Sequence, residues 1–294
     1  MKKKLLLLMG VNPYGEGKSY SEIVVKIIRY IFSRISILMG VLLDRTGLKQ
    51  YPSVDFFVIG AQKSGTTWLH SVLADLDEVG VSETKEYHFF DRGEGWFFSR
   101  YSKRYEQIGR RKVVGEFAPD YSALSYFDSL LFRFCYPRAK IFFVARNPYE
   151  RALSESVMEV GQCGVLDVEE IDDDEVLRNI RSKRVVRRSS YDQIYDRWKS
   201  LYGSRFHFLF YDDLIESKSN FLLNILSKLD LQVGIDRLES IENYNSVVFS
   251  LSKPSLEGVC VESHRDFFRS IASKPTLEEG RTDIYRRWFL DEQE

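Results

Sequence analysis

The chain contains 294 residues, of which 44% are hydrophobic and 29% are charged, and its formal net charge is −1. These values are ordinary for globular proteins, and they exclude a wholly disordered chain, a collagen-like fibre and a protein with many membrane spans. Three cysteines and four histidines are scattered, without the spacing of a disulfide framework or a metal site. We therefore expect a folded, metal-independent domain in a reducing compartment, with no nucleic acid as partner.

The near-neutral total conceals a basic N-terminal segment. Residues 1–50 contain nine Lys and Arg against three Asp and Glu, a net charge of +6, so residues 51–294 carry −7. We divide the chain here into a basic extension, residues 1–50, and a main domain, residues 51–294. The opening sequence MKKKLLLLMGV has the charge of a signal peptide, but its apolar run is short and no small-residue cleavage site follows it.

Residues 23–43 have the pattern of an amphipathic helix. At about 100° per residue, one arc is basic and polar and the opposite arc is apolar. The polar arc contains Lys26, Arg29, Tyr30, Ser33, Arg34 and Ser36, and the apolar arc contains Val24, Ile27, Ile28, Ile31, Ile35, Leu38 and Leu42. Ile37 and Val41 break the pattern, because they fall on the polar side.

Three basic residues inside this helix make a membrane span costly, which disfavours an anchor in the Golgi lumen. Three interpretations of residues 23–43 remain. The helix docks through its apolar face on the protein core or on a partner, it makes peripheral contact with an anionic membrane surface, or it crosses the membrane as a tilted span. A cytoplasmic location agrees with the first two.

Apolar runs alternate with helix-like stretches in the main domain. The runs at 56–59, 113–114, 141–144 and 206–210 are typical of buried strands, and helix-like stretches follow at 66–76, 148–160 and 219–229. This alternation predicts an α/β fold, a three-layer sandwich with a central, mostly parallel sheet flanked by helices. An acidic run at 167–175 and a basic run at 181–188 are assigned to solvated surface.

The segment GAQKSGTTW, residues 60–68, lies between a strand and a helix and has the features of a phosphate-binding loop. Gly60 and Gly65 have the separation found in the nucleoside triphosphate loop GxxxxGK[ST]. Thr66, however, stands at the position of the lysine, and Lys63 lies inside the loop. A lysine there suits a 5′-phosphate and the group leaving from it, and not the β- and γ-phosphates of a nucleoside triphosphate.

This loop resembles the 5′-phosphosulfate loop of the sulfotransferases that use 3′-phosphoadenosine-5′-phosphosulfate (PAPS) as donor. Two later segments resemble the same family in the expected order: Arg146-Asn147-Pro148 with Ser154 eight residues after the arginine, and Arg188 to Tyr191 ahead of a Trp and a Phe-rich strand. The resemblance covers residues 52–232. Ser189 stands where the family often has glycine, a departure that affects the backbone shape there.

The resemblance implies PAPS as donor, 3′-phosphoadenosine-5′-phosphate (PAP) as product, and a phosphate-loop type of α/β fold. Lys63 would act at the leaving 5′-phosphate, and an arginine with a serine hydroxyl suits a dianionic 3′-phosphate. The implied donor-binding residues are Gln62, Lys63, Ser64, Gly65, Thr66, Thr67, Trp68, Arg146, Ser154, Arg188 and Tyr191. Core packing remains the alternative for Trp68, and a structural ion pair the alternative for Arg146 and Arg188.

Residues 85–91, KEYHFFD, resemble the KExHFF[D] segment of the Golgi-type carbohydrate sulfotransferases, in which the glutamate is the general base. The resemblance implies that Glu86 takes the acceptor proton while Lys85 tunes the charge nearby. His88 is the competing base, because cytosolic family members use a histidine, and it also has a structural alternative. Phe117 stands where heparan-type members often carry lysine, which favours a less charged acceptor unless Phe117 is simply a core residue.

We therefore predict a sulfotransferase that moves a sulfuryl group from PAPS to a hydroxyl or amine of a small-molecule, lipid or carbohydrate acceptor, without a metal. Two other interpretations remain. One is a nucleotide kinase-like protein on a related phosphate-loop fold, and the other is a catalytically silent, membrane-associated binding protein.

Overall fold

A computed structural model describes residues 20–47, 53–83, 85–91, 101, 103–105, 108, 111–161, 170–246 and 288. The opening segment MKKKLLLLMGV, considered above as a signal peptide, lies outside the described residues.

Five parallel strands form one sheet in the order β2-β3-β1-β4-β5. The strands are β1 (Phe56–Gly60), β2 (Val79–Val81), β3 (Val113–Phe117), β4 (Lys140–Ala145) and β5 (Phe206–Phe210). The α-helices are α1 (Tyr20–Arg45), α2 (Thr66–Ala74), α3 (Tyr126–Cys135), α4 (Pro148–Val160), α5 (Asp173–Ile180), α6 (Lys183–Ser189), α7 (Tyr191–Tyr202), α8 (Tyr211–Glu216), α9 (Lys218–Lys228) and α10 (Ile235–Glu239). Short 3₁₀ turns lie at Pro119–Ala123, Gly203–Arg205 and Glu242–Asn245.

The sheet is buried on both faces, as parallel sheets generally are. Side chains of β1 alternate: Phe57 and Ile59 pack in a core shared with α1, α3 and α7, whereas Phe56 and Val58 pack in a core shared with α2, α8 and α9. This gives the three layers that the sequence predicts, and the predicted α/β fold is confirmed. Because all five strands run in the same direction, the loops that follow them meet at one edge of the sheet.

The helix boundaries near that edge have local causes. Asn147 caps α4, since its side chain accepts hydrogen bonds from the amides of Tyr149 and Glu150, and Pro148 occupies the first turn. Gly65 precedes α2 with φ 74°, a left-handed conformation that costs glycine little. The strand β2 is missing from the sequence prediction because its three residues, with a glycine in the middle, give no pattern to read.

Two helices that the sequence prediction lacks lie in the charged region: α5 begins at Asp173, and α6 contains most of the basic run. Asp172 caps α5 by accepting a hydrogen bond from the amide of Glu175, and most of the charged side chains remain at the surface. Arg188 is the exception, because its side chain is only 11% exposed. The assignment of the whole basic run to solvated surface is therefore wrong for Arg188, which finds buried carboxylates to pair with.

The predicted N-terminal helix is present as α1, but its polar arc faces the domain. Arg34 is buried, and its guanidinium lies 2.7 Å from the carboxylate of Asp128 in α3 and donates to the carbonyl of Phe90 at 2.9 Å. Ile37 and Val41, the two apolar residues of that arc, are buried beside it. Docking on the protein core through the apolar arc is therefore wrong. None of the helices in the described residues combines the length and apolar character that crossing a membrane would need.

Gly115 in β3 offers a test of the packing between neighbouring strands. A Cβ atom at this position would lie 2.0 Å from Cζ of Phe56, whereas one at Gly234 would meet nothing within 4 Å. We expect Gly115→Ala to lower the free energy of unfolding by about 1–3 kcal/mol, because the Phe56 ring must leave its place in the core. Urea unfolding measures the change. Gly234→Ala is the control and should stay within about 0.5 kcal/mol of the parent protein. Equal effects of the two substitutions would contradict this account of the packing.

Candidate active site

The loop between β1 and α2 lies at the C-terminal edge of the sheet, where open α/β sheets bind ligands. The amide of Ala61 donates to the carbonyl of Val144 in β4 at 2.9 Å, which fixes the start of the loop. Lys63 has φ 67°, so a lysine holds a left-handed conformation that non-glycine residues rarely adopt. The hydroxyl of Ser64 is buried and has no hydrogen-bond partner in the described part of the chain. The loop thus holds an unsatisfied buried polar atom beside the start of a helix.

The second predicted segment is next to the loop. Arg146, at the end of β4, donates to the carbonyl of Lys63 at 3.2 Å and pairs with Glu150 at 3.0 Å. On α4, the hydroxyl of Ser154 is buried, and no described residue satisfies it. Nζ of Lys63 lies 3.7 Å from Sδ of Met158, which is one turn after Ser154 on the same helix face. Lys63, Arg146 and Ser154 therefore belong to one region.

Arg188 of α6 also reaches the loop. Its guanidinium donates to the side-chain carbonyl of Gln62 at 2.9 Å and lies 2.5 Å from the carboxylate of Asp120. It also pairs with Glu155, which is fully buried and lies 2.5 Å from Arg151. Arg188 is thus beside the loop as predicted, but it already pairs with Asp120, Glu155 and, at 3.6 Å, Glu159, so an added phosphate would share it with three carboxylates.

The buried charges are mutually compensating. Burial alone would raise the pKa of Glu155, but the positive charges of Arg151 and Arg188 outweigh burial and lower it. Burial likewise opposes the charged form of Arg188, and the carboxylates of Glu155 and Asp120 raise its pKa nevertheless. Both groups are therefore ionised near neutral pH.

The base segment is tied to the phosphate loop by one lysine. Nζ of Lys85 donates to the hydroxyl of Thr67 at 3.0 Å and to the carboxylate of Glu86 at 2.8 Å. The amide of Glu86 donates to the carbonyl of Phe117 at 3.0 Å. The Glu86 carboxylate is about one quarter exposed, so it is held in place and is still accessible.

Backbone strain is concentrated at the residues predicted to be catalytic. Within the described residues, four that are not glycine have positive φ: Lys63 at 67°, Glu86 at 67°, His88 at 51° and Asp230 at 60°. Such conformations cost about 1–3 kcal/mol each and persist where the surrounding structure enforces them, often at functional sites. Three of the four are predicted site residues, which is independent support for this region.

His88 lies between three carboxylates. Its Nε2 is 3.5 Å from Glu86, and its Nδ1 is 2.8 Å from Asp91 and 3.6 Å from Asp120. Because Asp120 also contacts Arg188, a continuous polar chain runs from Glu86 to the phosphate loop. Burial raises the pKa of Asp120; the charge of Arg188 lowers it, and that of Asp91 raises it further.

Sequence reasoning did not assign Asp91, Asp120 and Glu155 to the site. Asp91 ends the KEYHFFD segment, Asp120 lies three residues after Phe117, and Glu155 directly follows Ser154. An acidic residue close in sequence to a predicted site residue is the pattern that could have indicated them. Arg188, however, which pairs with both Asp120 and Glu155, comes from a distant part of the chain, so this pairing is not visible in the sequence.

Several predicted residues lie behind the loop. Trp68 is buried, and its indole N–H donates to the carbonyl of Tyr244 at 3.3 Å. Tyr191 is fully buried, and its hydroxyl donates to the carbonyl of Arg146 at 2.7 Å. Thr66 is buried at the first turn of α2. Phe117 is buried in the core against Phe56, so its identity says nothing about the charge of the acceptor.

Glu116 is a buried carboxyl group surrounded by tyrosine hydroxyls of the core. It accepts hydrogen bonds from Tyr101, from Tyr105 at 2.6 Å and from Tyr121 at 2.8 Å. Burial raises the pKa of Glu116 above its usual value of 4.5, although the three tyrosine hydroxyls act in the opposite direction. This group lies beneath the site and does not open into it.

Comparisons with known proteins agree with one another. The family model described as "Sulfotransferase domain" matches residues 53–254. The membrane-associated sulfotransferase kil1 of Dictyostelium discoideum is 30% identical over 110 residues, 34% of this chain. The chain spans 22% of the length of that relative.

Two solved structures share the fold. A sulfotransferase from Alicyclobacillus acidocaldarius matches with a TM-score of 0.57 and 18% identity, over 80% of this chain and 96% of that one. Mouse sulfotransferase SULT7A1 complexed with PAP matches with a TM-score of 0.50 and 15% identity, over 83% of this chain and 92% of that one. At these identities the likeness concerns the fold.

Glu116 gives a pH-dependent prediction. Because its pKa is raised on folding, the folded protein keeps a proton above pH 4.5 that the unfolded chain releases. Stability should therefore fall as pH rises from 4.5 to the raised pKa, by up to about 1.4 kcal/mol per pH unit for this one proton. Glu116→Gln removes this contribution. The difference between the urea-unfolding free energies of parent and variant should change across this range, since other groups contribute equally to both. Parallel pH curves would show that the Glu116 pKa does not change on folding.

Proposed function

The chain belongs to the sulfotransferase family, and on that premise we propose that it transfers a sulfuryl group from PAPS to a hydroxyl or amine of an acceptor. The observation that carries this proposal is the position of Lys85, which bonds both to Thr67 at the phosphate loop and to the Glu86 carboxylate. The loop that would bind the sulfuryl donor and the carboxylate that would act as base are thereby held side by side, as an in-line transfer requires.

The donor fits the residues that are present. The buried hydroxyls of Ser64 and Ser154 are unsatisfied among the described residues and would donate to phosphate oxygens. The start of α2, with Gly65 and the loop amides, favours an anion. Lys63 and Arg146 supply positive charge to the same region. PAPS, when bound, supplies an activated sulfuryl group on a 5′-phosphate.

The chain's own residues then have distinct roles. Lys63 would stabilise the negative charge that develops at the leaving 5′-phosphate. The Glu86 carboxylate would take the proton of the acceptor as the new bond to sulfur forms and PAP leaves. Lys85 holds the Glu86 carboxylate at 2.8 Å, and His88 restrains its other oxygen from 3.5 Å. This assigns the base to Glu86 and an orienting role to His88.

Arg146, Arg188 and Gln62 would complete the donor site. Arg188 is held near the loop by Asp120 and Glu155, so we propose that it contributes charge without leaving those partners. We include Thr66, Thr67 and Trp68 in the donor site because they directly follow the phosphate loop. Tyr191 would position Arg146, since its hydroxyl donates to the Arg146 carbonyl. No metal enters this proposal, because lysine and arginine supply the positive charge.

The acceptor is a small molecule, a lipid or a carbohydrate in this proposal. The relative from Dictyostelium is named as membrane-associated. Together with the helix at residues 23–43, that name supports peripheral contact with a membrane, and we propose the cytoplasm as the enzyme's location. A kinase-like protein and a silent binding protein remain the competing functions, and the experiments below separate them.

Donor binding tests the site without knowledge of the acceptor. PAP should bind in the absence of magnesium, as measured by calorimetry. Ser154→Ala should weaken that binding about tenfold, because a hydrogen bond to a charged phosphate is lost. Ser156→Ala is the matched control, since its hydroxyl is also buried without a described partner but lies on another face of α4. Magnesium-dependent ATP binding in place of PAP binding would favour the kinase-like alternative.

Transfer from labelled PAPS, followed by mass in an acceptor screen, tests the catalytic roles. Glu86→Gln should lower kcat by about 10²- to 10⁴-fold while PAP binding is kept, because the base is lost and the fold is not. Lys63→Ala should also abolish transfer, and His88→Asn should cost less than Glu86→Gln. The exposed Glu83→Gln serves as control. A larger loss in His88→Asn would reassign the base to His88. Unchanged transfer in Lys63→Ala and Glu86→Gln would contradict the mechanism.

A further inference from the structure

The outer face of α1 is apolar and exposed. The polar arc of the helix faces the domain, so the opposite arc has no partner among the described residues. Seven large apolar side chains on this side of the helix, five from the arc and two beside it, are between 38% and 62% exposed: Ile28, Ile31, Phe32, Ile35, Leu38, Met39 and Leu42. A surface helix normally buries such a face, so its exposure needs an explanation.

Helix α3 continues the apolar surface. Tyr126, Phe127 and Leu130 are 60%, 51% and 41% exposed. They flank Asp128, the carboxylate that receives Arg34 from α1, and α1 and α3 are in contact. We call these three residues and the seven of α1 the apolar platform. A patch of this size on two adjoining helices is larger than scattered surface hydrophobics produce.

The orientation of α1 is fixed by buried polar contacts. Asp128 accepts hydrogen bonds from the hydroxyl of Tyr30 at 2.9 Å and from Nε of Arg34 at 2.8 Å. Turning the helix to bury its apolar arc would break this ion pair and carry Arg34 away from its partners, which is strongly unfavourable for buried charges. The platform is therefore held outward by the fold and is not simply left over from weak packing.

The charge of the N-terminal segment indicates what covers the apolar platform. Residues 1–50 carry a net charge of +6, and Arg29 and Arg45 are exposed on α1 itself. An apolar face bordered by basic residues suits the boundary between acyl chains and anionic headgroups. In a symmetric dimer built on this face, the same face of each copy would meet the other, and the basic residues of the two helices would repel each other.

We propose that the apolar platform inserts into an anionic membrane surface, with α1 and α3 lying in the plane of the interface. This deepens the peripheral contact included in the proposed function: it names the inserted face, and it uses a second helix that the sequence pattern did not indicate. The polar arc and the buried ion pair keep the domain on the water side.

Co-sedimentation with vesicles tests the platform on the full chain. Vesicles of phosphatidylcholine with phosphatidylserine should bind the protein, and vesicles of phosphatidylcholine alone should bind it at least about tenfold more weakly. The double variant Phe32→Ser with Met39→Ser should lower binding to the mixed vesicles at least about tenfold. So should Phe127→Ser with Leu130→Ser. The control Ile215→Ser with Ile235→Ser changes two exposed apolar residues elsewhere and should bind like the parent protein.

Two further measurements keep the outcomes separate. PAP binding should be unchanged in all three variants, which shows that they fold. Absent PAP binding in a parent protein that still binds vesicles would overturn the donor site and leave the platform in place. Unchanged vesicle binding by both platform variants would overturn the platform. So would equal binding to both kinds of vesicle. Sedimentation without vesicles identifies the rival occupant, because a dimer that both platform variants abolish would assign the platform to a second copy of the chain.

Discussion

A fully buried carboxylate, that of Glu155, organises the candidate site. An uncompensated charge inside a protein is very costly, so Glu155 must have cationic partners, and it takes Arg151 and Arg188. Arg151 comes from the same helix one turn earlier, but Arg188 comes from α6. The requirement for charge compensation therefore fixes α6 against α4 and brings Arg188 to the phosphate loop. From there Arg188 reaches Asp120, and Asp120 reaches His88.

A second buried ion pair fixes the orientation of helix α1 against the rest of the domain. Arg34 and Asp128 are each 5% exposed, and their contact decides which arc of α1 faces inward. Hydrophobic burial alone would choose the opposite arc, because that arc has more apolar area. Two apolar residues on the polar side, Ile37 and Val41, fill the space beside the ion pair and make the docking compatible with a core. The apolar platform is the consequence.

Three residues of the candidate site have strained backbone conformations. Lys63, Glu86 and His88 hold left-handed backbone conformations that neither their own propensities nor their neighbours in sequence would choose. Each is fixed by contacts from elsewhere: Lys63 by Arg146, Glu86 by the carbonyl of Phe117, and His88 by carboxylates on either side. A site assembled in this manner is preorganised, because the cost of orienting its groups is met by folding.

The sequence by itself determined four of the five described strands, four of the helices, the parallel sheet, and the loop with Lys63 inside it. These follow from local patterns: apolar runs, glycine and proline positions, and the spacing of a few residues within one segment. Glu86 and Arg146 were predicted as site residues from the resemblance of their segments to the sulfotransferase family. Only the tertiary structure decided that Arg188 pairs with carboxylates next to Gln62, a residue 126 positions away, and that α1 exposes its apolar arc. The physical reason is that ion pairing and desolvation depend on neighbours in space, and a pattern along the chain records only neighbours in sequence.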